Sequence, residues 1–387
     1  MGCSSNNATA PAPAIAPGAQ RLDPAEIARR TRIDPRIESL APGFDAPFFQ
    51  AGLAGYSDAA MRIIARRLGC PYCVTEALLD RTLLAGGRGF AKADLGELHE
   101  NVPGGVEDHP LAGQIMGSDP DEMASAAARM IERNPPADRG FAAIDVNLAC
   151  PVKKIKAKAR GGHWLREPAG AVAILRAVRD AVPPAVPVTV KMRRGSDDSA
   201  RAERDFMTIF DAAYEIGCAW VTVHGRTVEQ KYVGPSRWSF LRDLVRRRPD
   251  RLIFGSGDVW SAADIFRMIG YTGVAAVSVA RGCIGDPWVF RQARDLMAGR
   301  APAAPTLAEQ RRVLEEHFRL AVAVNGERRA GLMMRKFGIR FAARHPDADA
   351  VRQRFIAVRT IEDWRAVLDA HYPRAGSAEP APALATP

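Results

Sequence analysis

From residue 47 onward, short apolar runs alternate with stretches whose apolar positions recur every three or four residues. The runs at 47–53 (PFFQAGL), 72–77 (YCVTEA), 111–117 (LAGQIMG) and 141–148 (FAAIDVNL) predict strands. So do those at 187–193 (PVTVKMR), 219–225 (AWVTVHG), 251–257 (RLIFGSG) and 274–281 (VAAVSVAR). Amphipathic helices are predicted around 57–68, 119–133, 168–182, 201–216, 236–247, 261–269 and 286–297, and only the link at 78–110 is long and irregular. Strands and helices in this alternation predict an α/β chain, a (β/α)8 TIM barrel over residues 41–300. An open doubly wound sheet would carry a G-x-G-x-x-G turn after its first strand, and LAGYSD is not one. After a Pro/Ala linker at 301–305, residues 306–372 read as a small C-terminal helical domain rich in arginine. Residues 1–40 and 373–387 read as disordered Ala/Pro-rich tails.

Side chains alternate between the two faces of a strand, and barrel enzymes work at the C-terminal ends of their strands. If Val188 and Val190 face the helices, Thr189 and Lys191 face inward. The same count turns Thr222 and His224 inward, places Gln114 on the inward set with Ala112, and points Asp145 and Asn147 inward. Four strands thus deliver Gln114, Asn147, Lys191 and His224 to one mouth. These donors suit a flat heteroaromatic ring bearing carbonyl and ring-nitrogen acceptors. The glycines of GSGD (255–258) and ARG (280–282) end the last two strands, where backbone N–H groups and Arg281 can hold a phosphate. Flavin mononucleotide (FMN) fits both features, and a sugar phosphate fits the anion site nearly as well.

The 387 residues carry a net charge of +10, which favours a polyanionic partner, nucleic acid first and a membrane surface second. No run is long and apolar enough to span a bilayer, the start has no charged n-region before an apolar core, and a cytoplasmic location is expected. Six cysteines in so long a chain do not make a disulfide scaffold. CPYC at 70–73 has the form of a redox pair but opens a strand instead of a helix, so two structural cysteines are expected there. No metal site is predicted. In AIDVNLACPVKKIKAKARGG (143–162), a strand ends at Cys150, Pro151 stops it, and Lys153, Lys154, Lys156, Lys158 and Arg160 follow. The first half reads as chemistry and the second as a grip on negative charge.

DVNLACPVKKI, VTVHGRTVEQKYVGPSRW and GSGDV followed by ARGCIGDPWVF resemble motifs of the tRNA-dihydrouridine synthase family. GLMMRKFGIRFAARHPDADAVRQRFIAV is similar to the C-terminal helical domain of its bacterial B-type branch, and the resemblance runs from Pro47 to Tyr372. It implies FMN, NADPH as reductant, and reduction of the C5–C6 double bond of selected uridines in tRNA. Hydride would pass from flavin N5 to C6, and Cys150 would give the proton to C5. A thiol, with an ordinary pKa of about 8.5, holds its proton at neutral pH yet releases it readily. The resemblance assigns Gly52, Leu53, Ala54, Gln114, Lys191 and His224 to the flavin, and Ser256, Gly257, Asp258, Ala280 and Arg281 to its phosphate end. Asn147, Arg226 and the basic run with Lys153, Lys154 and Arg160 would meet the flipped uridine and its flanking phosphates. Arg335 and Lys336, with Arg340 and Arg344, would form a second tRNA contact. The chain departs from the family pattern at Gly52–Leu53 (Pro-Met), Ala149 (Gly), Ser256 (Asn) and Ala280 (Gly). Two other readings compete: a flavin oxidoreductase acting on a free pyrimidine or other small molecule, and a tRNA-binding homologue without catalysis.

Overall fold

The computed structural model describes residues 17–84, 107–133, 140–156 and 158–374. Eight parallel strands close into a barrel: β1 (Phe48–Gln50), β2 (Cys73–Val74), β3 (Leu111–Met116), β4 (Ala143–Leu148), β5 (Val188–Arg193), β6 (Val221–His224), β7 (Ile253–Ser256) and β8 (Ala276–Val279). β8 pairs back onto β1 through Phe48 and Val277, which leaves no open edge there. A two-residue strand, Leu78–Leu79, adds to the C-terminal end of β3. All eight predicted strands and the seven predicted helices are present, so the (β/α)8 expectation holds.

Two apolar layers hold the barrel. The outward valines of β5 and β6 pack beneath the surrounding helices, with Ile174, Phe206, Leu241 and Phe266 all fully buried. Inside, Phe44, Phe49, Tyr72, Trp220 and Phe254 fill the N-terminal end. Phe44 stacks on Tyr72 with ring centroids 4.6 Å apart, and Trp220 stacks on Phe254 at 5.0 Å.

The expectation of a disordered tail over residues 1–40 is corrected from Pro17 onward. Pro24–Arg30 and Pro35–Leu40 are helices, capped by the carboxylates of Asp23 and Asp34. Ala28 and Ile37 are fully buried, Ile37 in the cluster that plugs the bottom of the barrel. Apolar positions in two short Pro-started helices are too few to show a period, so the sequence signal was weak. The tails expected at residues 1–16 and 375–387 lie outside the described residues. Cys70 and Cys73 are both buried with sulfurs 3.8 Å apart, behind the barrel wall.

Four helices follow the barrel: Leu307–Asn325, Glu327–Phe341, Ala348–Ala357 and Ile361–His371. They are tied to the loop after β1 by Asn325, whose amide donates to Asp58 at 3.0 Å, and by Lys336, whose ammonium donates to the Gly55 carbonyl. No helix among the described residues is long and apolar enough to cross a membrane.

Candidate active site

Register aligns the polar residues across the mouth. Gln114 lies beside Asp145, Asn147 beside Lys191, Arg193 beside His224, and His224 beside Ser256. The Gln114 amide donates to Asp145 at 2.7 Å and accepts from Asn147 at 2.8 Å. Lys191 Nζ lies 3.4 Å from the Ser256 hydroxyl. Burial pulls the Lys191 ammonium down to about 8 against the opposing pull of Asp145, so it stays mostly charged at neutral pH. The four residues selected by parity therefore do share one mouth.

His224 sits in a different electrostatic setting. Its Nδ1 accepts from the Arg226 backbone N–H at 3.1 Å, which places the ring proton on Nε2. Burial and the charges of Arg193, Lys191, Arg226 and Arg281 hold it well below the usual histidine range. It is a neutral imidazole offering one N–H.

Cys150 is a half-exposed thiol just past the end of β4. The chain folds back over it at Gly161 and Gly162. Gly162 N–H donates to the Cys150 carbonyl at 3.0 Å, and a Cβ at Gly161 would lie 2.8 Å from Cys150 Cβ. Gly161 also has a φ of 55°, in the left-handed region that favours glycine. Arg193 braces the other side: its Nε donates to the Ala149 carbonyl at 2.9 Å, and Nη1 to Thr227 and Lys231 carbonyls. Ala149 fits where it stands, buried, with its N–H on Asn147 Oδ1 at 2.9 Å. Arg193, Gly161 and Gly162 were not singled out from the sequence. Arg193 shares the inward parity of Lys191 two residues earlier, and the diglycine closing the basic run was the second available signal.

At the last two strands, Gly257 (φ 111°) and Asp258 (φ 57°) both take left-handed backbone, and a side chain at Gly257 would run into Ser236 and the His224 ring. The Asp258 carboxylate faces away, held by Arg226 Nη2 at 2.7 and 2.8 Å and by the Ser236 N–H at 2.7 Å. An anion at Asp258 would therefore meet backbone and not the side chain. Arg281 stands over the rings of Trp260 at 4.8 Å and Tyr232 at 4.9 Å, half-buried and within electrostatic reach of Arg226 and Asp258. Ala280 is half-buried at the same corner, and Gly52 packs so closely under the Thr75 carbonyl that a side chain would collide with it. Leu53 is half-buried and Ala54 exposed on the rim.

Two expected substrate contacts turn out to lie inside the protein. Arg226 is fully buried in its ion pair with Asp258, and Arg160 is buried against Asp80 at 2.9 Å. Each closes a loop onto the barrel, so neither guanidinium faces an incoming polyanion. Sequence showed only the positive charge; the carboxylate partners are remote in the chain. Lys153 and Lys158 remain exposed, while the side chains of Lys154 and Lys156 lie outside the described residues. Arg335 donates to the Ile356 carbonyl at 2.6 Å, and Lys336 stands 4.4 Å over the Tyr56 ring. Arg340 is exposed, and Arg344 pairs with Asp286.

Comparison with known proteins agrees with this architecture. The model of the dihydrouridine synthase family matches residues 49–375. The chain belongs to the dihydrouridine synthase family. A relative from Pseudomonas putida, tRNA-dihydrouridine synthase B, is 32% identical over 317 residues, covering 82% of this chain and 87% of its own. Another of that name from Pseudomonas aeruginosa is 33% identical over 297 residues, covering 76% and 81%. Among solved structures, 6-hydroxypseudooxynicotine amine oxidase from Pseudomonas geniculata N1 superposes with a TM-score of 0.50 at 12% identity. That match covers 73% of this chain and 53% of the other, and it speaks to the fold alone. Membership makes the chain an oxidoreductase of the flavin-dependent type, and the mouth fits a flavin. It offers a neutral Nε2–H donor, a cation beside it, a glycine floor and a backbone anion corner with Arg281.

Proposed function

We propose that the protein reduces the C5–C6 double bond of uridine in tRNA to 5,6-dihydrouridine, with FMN as cofactor, NADPH as reductant and Cys150 as proton donor. The observation that carries this reading is the convergence of Cys150, Asn147, Lys191 and His224 on one mouth in a chain of this family. Gly52, Leu53, Ala54, Gln114, Lys191 and His224 would hold the flavin ring. The backbone of Ser256, Gly257, Asp258 and Ala280, with Arg281, would hold its phosphate. A bound flavin supplies the hydride that adds to C6 of the uracil.

The chain's own residues then have separable tasks. Lys191 and the Nε2–H of His224 place positive charge and a donor against the carbonyl edge of the ring. Asn147 has one N–H engaged with Gln114, which leaves the other for a uracil carbonyl. Reduction at C6 leaves C5 as the carbon that must take a proton, and Cys150 stands at the end of β4 to deliver it. Gly161 and Gly162 pack against the Cys150 backbone and Cβ, and Arg193 fixes the peptide before it. Lys153 and Lys158 present exposed charge to the phosphates flanking the extruded nucleotide, with Lys154 carried by the same run. Arg335, Lys336 and Arg340 would extend this contact onto the helices after the barrel.

The test incubates the protein with FMN, NADPH and unmodified tRNA, followed by mass mapping of uridines, with Cys150→Ala in parallel. A gain of two mass units at a defined uridine, lost in the variant, supports the reading. Flavin bound and tRNA bound without any gain would move the substrate to a free pyrimidine or another small molecule. Binding of tRNA without flavin would leave a non-catalytic homologue.

A further inference from the structure

A chain of four hydrogen bonds runs from inside the barrel to the residue before Cys150. Thr189 Oγ1 donates to Asp145 Oδ1 at 2.6 Å, and Gln114 Nε2 donates to Asp145 Oδ2 at 2.7 Å. Asn147 Nδ2 donates to Gln114 Oε1 at 2.8 Å, and the Ala149 N–H donates to Asn147 Oδ1 at 2.9 Å. A side-chain amide can ordinarily be turned end for end, but this chain cannot. A backbone N–H only donates, so Asn147 must present its oxygen to Ala149 and its nitrogen to Gln114. Gln114 must then present its nitrogen to Asp145, which is left as the acceptor for both donors that reach it. The buried carboxylate, 5% exposed, is the terminus that allows every amide in the row to keep this orientation.

We infer that Asp145 is the positioning residue of this site: it orients Gln114 and Asn147 toward ring and substrate, locks the peptide leading into Cys150, and places its negative charge where it acts on Lys191. The inference rests on the proposed flavin reading only for what Gln114 and Lys191 face. Asp145 is one strand over from Thr189 and Gln114 in exact register, so the row is built by strand pairing and needs no loop. The groups around Lys191 are Asp145 from β4, Arg193 on its own strand, His224 from β6 and the Ser256 hydroxyl from β7. Of these only Asp145 is negative. It opposes the burial that draws the Lys191 proton off, while Arg193 adds to that pull. Removing the charge therefore sends Lys191 lower, and its positive charge is lost at a lower pH.

Asp145→Asn is suited to the test because it keeps the shape and can still accept from Gln114 through its oxygen. Two profiles are measured against pH: FMN affinity by flavin fluorescence, and acetylation of Lys191 in the flavin-free protein, read by peptide mass spectrometry. The expected result is a downward shift of the alkaline midpoint in both, by about one pH unit or more. Thr189→Val, a milder change, removes a hydrogen bond that holds the Asp145 carboxyl down, so the acid limb of FMN binding should move up. It carries the test if the asparagine variant does not fold. Unchanged midpoints in variants that bind FMN, even with lowered melting temperatures, would overturn the inference and leave the flavin reading standing. A shifted Lys191 midpoint in a protein that binds no FMN would support the charge coupling and overturn the flavin reading.

Discussion

Inward-facing residues change character as each strand climbs the barrel. On β4 they run Ala143, Asp145, Asn147; Trp220, just before β6, is followed by Thr222 and His224; on β7 they run Phe254, then Ser256. The N-terminal end is an aromatic plug, with Phe44 seated on Tyr72 from below. The C-terminal end is a row of donors and charges in which every amide has an assigned direction. One end buys rigidity from apolar burial, and the other spends it in holding Lys191 and His224 away from their ordinary proton affinities. The same pleat serves both because a step of two residues stays on one face while rising a layer.

The sharpest way to separate the two ends is to remove one group from each. Cys150→Ala should lower uridine reduction by about 10²–10⁴-fold, with the melting temperature unchanged. Loss of both together would place Cys150 in the fold and not in the chemistry. At the other end, Phe44→Ala should cost about 3–5 kcal/mol in denaturant unfolding. Turnover per folded molecule should be preserved; a collapse of turnover at intact stability would dissolve the division between the ends.

Acid pH tests the buried histidines. His224 and His317 are held neutral by burial, His317 down to about 3, and neither ring nitrogen of His317 is bonded among the described residues. Below the ordinary histidine value of about 6.5, the unfolded chain binds protons that the folded chain refuses. For His317 stability therefore falls as pH drops from about 6.5 toward 3, by about 1.4 kcal/mol per pH unit, and His224 adds to the fall in the same direction. His317→Leu should flatten that slope by close to one proton, measured as unfolding free energy against pH. An unchanged slope would mean that His317 meets water in the folded protein. The smallest effect is at the rim. Lys153→Ala should reduce the slope of tRNA affinity against salt by about one, without altering FMN binding.

Arg160 and Arg226 show where charge in the sequence misleads. Arg160 closes a basic run and Arg226 follows a candidate site histidine, yet they fold inward onto Asp80 and Asp258. Their partners are 80 and 32 residues away in the chain, so no local pattern distinguishes them from Lys153. Arg193 failed in the opposite direction, because its value lies in three backbone carbonyls that no motif encodes. Residues 17–40 look like a tail in sequence for a related reason: their few apolar side chains count only once packed, Ala19 and Ala28 in the outer helical layer and Ile37 against the barrel floor.

Strand and helix periodicity determined the barrel, since burial on one face imposes a period that any reader of the chain can count. Strand parity likewise determined that Gln114, Asn147, Lys191 and His224 share a mouth, because direction alternates with sequence position. Only the tertiary structure decided which arginines face outward, which way each amide points, and how far each charge is displaced from its ordinary proton affinity. Those depend on register between strands and on carboxylates distant in the chain, and pairing across space leaves no period along it.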